Sequence, residues 1–173
     1  MKRLVVPVAA AVAALAVASG ALSIELGTTV NLPKFFSGSI GQLKTKTSVP
    51  ILLPGKVTLL DKLKTYPTVE VLGAKSYSLV VGGAANCTAD ACFLASFGGE
   101  KGGTLGRTSN VTLGNGDKAW FHPSTCGGSC APVTFEFVHA GVLYSFQDSD
   151  MLAKTAKATM IALANGAIAA GPR

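Results

Sequence analysis

Four cysteines, two histidines and one tryptophan are the residues whose chemistry could define a site in this chain. Cys87 and Cys92 bracket Thr88-Ala89-Asp90-Ala91, and Cys126 and Cys130 bracket Gly127-Gly128-Ser129. An even cysteine count downstream of an export-type N-terminus reads as two disulfides. Three connectivities are open to four cysteines, and the turn-rich brackets favour the local one, Cys87 with Cys92 and Cys126 with Cys130. Loops this short remove about 2 kcal/mol of unfolded-state entropy each, against about 4 kcal/mol for a long-range bridge such as Cys87–Cys130. Local pairs therefore shape loops more than they hold a fold together.

Other chemistries for the same residues are weaker. A zinc ribbon uses C-x2-C knuckles, whereas the gaps here are four and three residues, and an exported chain meets oxidant before metal. A redox pair at Cys126/Cys130 lacks the C-x-x-C spacing and the helix start that lowers a thiol pKa. His122 could join Cys126 and Cys130 as a ligand, or Ser129 as a base, but G-x-S-x-G is absent and no triad is visible. The glycine-rich run Gly98–Gly106 is no phosphate loop, because Gly103 is followed by Thr104 and Leu105 rather than by Lys and Ser or Thr. Glu136 falls on a strand, and Asp148 and Asp150 at a helix start, so the carboxylates read as solvated face and cap. The sequons at Asn86 and Asn110 matter only in a glycosylating pathway. No catalytic constellation, metal site or cofactor follows, and the alternative to a binding protein is a small secreted enzyme using Cys126, Cys130 and His122.

What remains for contact is Trp120 with Phe121 and His122, and Lys101 in the glycine-rich loop. Trp120 reads equally as core or as contact. These residues need elements to position them, and the chain supplies short ones. Its 173 residues make room for one ordinary domain, and 49% hydrophobic residues with a mean hydropathy of +0.44 exclude disorder.

Met1-Lys2-Arg3 followed by the uncharged apolar run Leu4–Ala18 is an export signal, too short for the roughly 20 residues of a membrane span. Cleavage after Ala18 or Ala21 is expected, so residues 1–21 are taken as signal and no membrane span remains. Removing Lys2 and Arg3 lowers the formal charge from +6 to +4. The lysines between Ile24 and Lys75 make that half basic, which could meet anionic envelope surfaces or simply solubilise the chain. They are scattered and lack interleaved aromatics, so no nucleic-acid partner is expected. Partners are an unknown protein or an anionic envelope component, and the place is periplasmic or extracellular.

Residues 22–48, punctuated by Gly27, Pro33, Gly38 and Gly41, read as an extended, partly mobile opening. Residues 49–173 read as a single domain. The apolar Val49–Leu53 stops at Pro54-Gly55, and period-2 alternation marks strands at Thr68–Leu72, Ser76–Val81, Cys92–Phe97, Asn110–Leu113, Lys118–His122, Val133–Val138 and Val142–Gln147. Gly114-Asn115-Gly116 and His139-Ala140-Gly141 are turn signals. Asp148, Ser149 and Asp150 predict the N-terminus of a helix running to about Asn165, with Leu152, Ala156, Met160, Leu163 and Ala167 as its apolar stripe. An amphipathic helix must bury that stripe. The fold class is therefore α+β, an antiparallel sheet of short strands and hairpins with a C-terminal helix on one face and two disulfides.

With Val49–Pro54, Ala91–Phe97, Cys126-Gly127-Gly128-Ser129-Cys130-Ala131-Pro132 and Asn165–Ile168 in view, the chain resembles a loosely defined set of small exported bacterial proteins and lipoproteins with paired cysteines. The resemblance implies an exported sheet protein and no catalytic residue. No acylatable cysteine follows the signal here, unlike the lipoproteins of that set. The functional expectation is an exported, disulfide-stapled binding or interaction module.

Overall fold

The computed structural model describes residues 27–59, 63–87, 89–127, 130–149, 151 and 154–173. The expected signal, residues 1–21, lies outside them, as do Ser129, Asp150 and Leu152. Seven antiparallel strands form the main sheet: β3 (Tyr66–Gly73), β4 (Ser76–Gly82), β5 (Phe93–Lys101), β6 (Val111–Thr112), β7 (Lys118–His122), β10 (Val133–His139) and β11 (Val142–Asp148), in the order β3-β4-β5-β11-β10-β7-β6. A two-residue ladder of β8 (Thr125–Cys126) with β9 (Cys130–Ala131) projects from it, and β1 (Thr28–Asn31) pairs with β2 (Lys56–Leu59) apart from the sheet. The α+β class, the antiparallel hairpins, the C-terminal helix and both local disulfides are as the sequence predicts.

Alternation sorts the sheet into two faces. On one, Tyr77, Leu79, Phe97, Phe135, Phe137, Tyr144 and Phe146 are buried in a continuous core. Rings of Phe137 and Tyr144 stack with centroids 5.4 Å apart, and Phe146 meets Phe137 edge-on at 5.3 Å.

Of the opening segment, the described residues 27–48 form a strand only at β1, and most of the rest is helical. It forms α1 (Leu32–Phe35) and α2 (Ser37–Lys46), and it shares the core of the following domain. Asn31 caps α1, its side-chain oxygen accepting from Lys34 N–H at 3.1 Å, and Pro33 occupies the first turn, where its missing N–H costs nothing. Leu32, Phe36, Ile40 and Leu43 recur at helical spacing, and of these Leu32, Phe36 and Leu43 are fully buried. Gly38 and Gly41 face open space and so do not interrupt that stripe. Next, 49–54 crosses the core face as an irregular segment, buried except at Pro50. Its backbone is met by tyrosines of the sheet: Tyr77 Oη accepts from Leu52 N–H at 3.0 Å, and Tyr144 Oη donates to Pro50 C=O at 2.9 Å.

The C-terminal helix, α3 (Ala156–Ala170), starts later and ends later than its sequence signals predict. Asp148 is buried as the last residue of β11, opposite Ala95 and Val133. Ser149 donates its hydroxyl to the carbonyls of Phe93 and Leu94. Those two residues therefore finish the strand end of β11, and Thr155 takes the N-cap position without a side-chain capping hydrogen bond. At the other end, Asn165 and Gly166 are carried inside the helix, and Gly171 with φ of 71° closes it. Ala156, Met160, Ala164 and Ala167 are buried and face the core. Among the described residues no helix is long and apolar enough to cross a membrane.

Candidate functional site

Among the described residues, no helix covers the second face of the sheet. Strand pairing sets its side chains in rows across the strands. One row runs Glu70, Ser78, Gly98, Ser145, Glu136, Trp120, and the next runs Thr68, Val80, Ser96, Gln147, Thr134, His122. Small polar residues thus occupy the middle strands, with bulkier ones at the sides. At Gly98 an added Cβ would lie 3.1 Å from the Tyr77 carbonyl oxygen and 3.8 Å from that of Ser145, so glycine keeps the floor low where β4, β5 and β11 meet.

Gln147 sits at the centre. Its side chain is tied on both sides, its Oε1 accepting from Ser96 Oγ at 3.4 Å and its Nε2 donating to Thr134 Oγ1 at 3.4 Å. Three depressions meet there and all are lined by Gln147. A trough of about 270 Å³ spreads over Ser78, Gly98, Ser145 and Glu136. A hollow of about 190 Å³ lies against Cys87 and Ala89, and one of about 670 Å³ against Cys126, Cys130 and Pro132.

Each disulfide hairpin therefore walls one end of this surface. The Cys87–Cys92 bond closes the β4–β5 connection. A Cβ at Gly82 would fall 2.6 Å from Cys87 Cβ, so only glycine lets the half-cystine tuck under the strand end, where Cys87 is buried. Cys126–Cys130 pins β8 to β9 and stands exposed. Every cysteine sulfur is bonded to another sulfur and offers no thiolate to a metal or a substrate. The pairing of Ser129 with His122 lies outside the described residues.

The contact residues expected from sequence separate. Trp120 and His122 share the open face, both half-buried, with ring centroids 5.3 Å apart. Arg107 adds a guanidinium 5.5 Å from the Trp120 ring centroid. Phe121, between them in the strand, turns to the other face and packs against the core. Lys101 stands exposed at the end of β5, opposite Val142, well along the strands from Gln147. The glycine-rich run is half strand: Gly98 and Gly99 lie within β5.

The sequence signals give no contact role to Gln147, Ser96, Ser78 and Ser145, and Glu136 reads there as a solvated face. Their signal was available in the alternation, since four strands each place small or polar residues on the face opposite their aromatic ones. A further polar cluster lies away from this surface: His139 Nδ1 is 2.6 Å from Asp117 Oδ2, which also accepts from Asn115 Nδ2 at 2.7 Å. It clasps the β6–β7 turn to the end of β10.

The open face can hydrogen-bond a polar ligand through hydroxyls, one fixed amide and carboxylates, and can stack a ring or a C–H face on Trp120. Comparison with protein-family models, with curated proteins and with solved structures finds no match for the chain.

Proposed function

We propose that this protein is an exported, disulfide-stapled binding module of the cell envelope or extracellular space, with its ligand seated on the open sheet face around Gln147. The observation that carries the reading is the convergence of three depressions on one residue, between walls made by both disulfide hairpins. Ligand sites are concave and hold a few fixed polar groups, and the Ser96–Gln147–Thr134 chain is such a set. Glu70, Glu100 and Glu136 share the face with Lys118 and Arg107, a mixed charge that favours a neutral polar ligand. The N-terminal apolar run and the paired cysteines support the export half of the reading.

Titration of isotope-labelled protein with soluble polysaccharide and peptide fractions of an envelope tests it. Amide shifts clustered at Ser78, Ser96, Ser145 and Gln147, and abolished by Ser145→Arg, are the expected result. Ser145 is half-exposed, so this substitution is expected to leave the fold within about 0.5 kcal/mol of the native stability. Shifts confined to the helical side, or none with any fraction, would overturn the assignment.

A further inference from the structure

The layer that covers the core face differs in charge from the open face. Residues 27–59 and 154–173 contain Lys34, Lys44, Lys46, Lys56, Lys154, Lys157 and Arg173, and neither aspartate nor glutamate. All six lysines are exposed, and among the described residues none is ion-paired. Arg173 is held to the layer itself, its Nη2 donating to Leu53 C=O at 3.3 Å. The open face by contrast mixes Glu70, Glu100 and Glu136 with Lys118 and with Arg107 over Trp120.

A groove opens through that cationic layer. It measures about 490 Å³ and runs between β2 and α3, with Val57, Met151, Ala162 and Leu163 as apolar walls and Lys56 and Thr58 at the β2 side. That volume lies within the range of small-molecule sites, about 300–1,000 Å³. An apolar slot with an exposed lysine beside it matches a molecule with a hydrocarbon tail and an anionic head. A neutral apolar ligand would gain nothing from Lys56, and a fully ionic polymer would leave the slot unused.

We propose that the groove between β2 and α3 receives an acyl chain of an anionic phospholipid whose headgroup meets Lys56, so that the covering layer rests on an anionic membrane surface. The open face then points away from the membrane, free for its own ligand. This inference uses a different face from the proposed binding site and stands independently of it.

Co-sedimentation of the protein, purified from its export compartment, with phosphatidylglycerol–phosphatidylcholine vesicles and with pure phosphatidylcholine vesicles tests the proposal. Binding to the anionic vesicles alone is expected, weakening as salt screens the lysines. Lys56→Glu is expected to lower the affinity about tenfold, given the worth of single charges near such a surface. Gly166→Leu separates the slot from the charge: an added side chain at Gly166, on the groove wall, meets nothing within 4 Å, so it fills the groove while the helix is kept. With an unchanged melting temperature, that variant is expected to lose most of the vesicle affinity. Several results would overturn the proposal: equal binding to both vesicle types, anionic binding unaffected by Gly166→Leu, or a self-associating protein that Gly166→Leu renders monomeric without any vesicle binding. Vesicle binding that required retained residues 1–21, seen by intact mass, would assign the lipid contact to that segment instead.

Discussion

The phenol of Tyr144 donates a 2.9 Å hydrogen bond to the carbonyl of Pro50, joining the second strand of the sheet's best-formed hairpin to a segment 94 residues earlier in the chain. Tyr77 makes the equivalent contact with Leu52 from β4. The irregular strip 49–54 has no strand partner, so its polar backbone needs such donors and acceptors if it is to lie buried on the sheet. These two phenols thus attach the covering layer to the sheet.

That attachment predicts alkaline sensitivity. Burial pushes Tyr144 from its ordinary 10 up to about 12, and burial raises Tyr77 further still, against the lowering effect of the Leu52 backbone hydrogen bond. Below pH 10 both phenols are protonated in folded and unfolded chains, and stability does not change with pH through them. Above pH 10 the unfolded chain releases protons that the folded protein keeps, so stability falls as pH rises, and the contribution of Tyr144 is gone above about pH 12. Tyr144→Phe is expected to cost about 1 kcal/mol at pH 7 and to make the decline between pH 10 and 12 shallower. Urea midpoints measured across that window check it, and a variant profile as steep as the native one would count against the assignment.

Phe137 is the hub of the aromatic core, with ring centroids 6.1 Å from Phe135, 5.4 Å from Tyr144 and 5.3 Å from Phe146. Truncation there leaves a cavity lined by rigid rings that cannot collapse into it. Phe137→Ala is expected to cost about 3–5 kcal/mol, whereas Val138→Ala on the half-exposed open face costs about 1 kcal/mol or less. Similar losses for the two in chemical denaturation would contradict the division of the sheet into a covered and an open face.

Much of this division was legible in the residues. The β10–β11 hairpin alternates without a break and returns through Ala140-Gly141, so its register follows from local signals alone. The N-terminal helices were hidden because Gly38 and Gly41 mimic loop composition, and only the packed structure reveals that both glycines face away from the core. The start of α3 was misplaced for the opposite reason. Asp148 and Ser149 are good caps in isolation, but pairing with β5 and the carbonyls of Phe93 and Leu94 claims them first. Alternation puts Gln147 on the polar face of its strand, but its place at the site centre depends on pairing β5 with β11, strands distant in sequence, which no local signal specifies.

The two disulfides are expected to contribute similar, modest stability and to differ in reactivity. Each closes a small loop, worth about 2 kcal/mol on the chain-entropy model. Cys87 is 5% exposed under the end of β4, while Cys126 and Cys130 lie open on their two-residue ladder. Under limiting reductant the Cys126–Cys130 bond should open first, and timed alkylation followed by peptide mass analysis reads the order. Prior loss of Cys87–Cys92 would show that access does not govern the reduction.

Asn110 offers a sharper test of how the sheet's short edge is held. Read from sequence it is the acceptor of a sequon. In the fold its side chain acts as a substitute strand, Oδ1 accepting from Phe121 N–H at 2.8 Å and Nδ2 donating to Phe121 C=O at 2.9 Å, just before the two-residue strand β6 begins. Both bonds run to one peptide neighbour, so the amide group replaces a full ladder pair where the backbone of β6 has run out. Asn110→Ala removes both and is expected to cost about 1–2 kcal/mol. It should also speed hydrogen exchange at the Phe121 amide selectively. Asn110→Asp keeps an acceptor for that amide and loses the donor, so exchange there should stay closer to native while part of the stability is lost. If the Phe121 amide exchanges at the native rate in Asn110→Ala, the edge is held by the β6–β7 backbone pairs alone and the side-chain clasp contributes nothing to it.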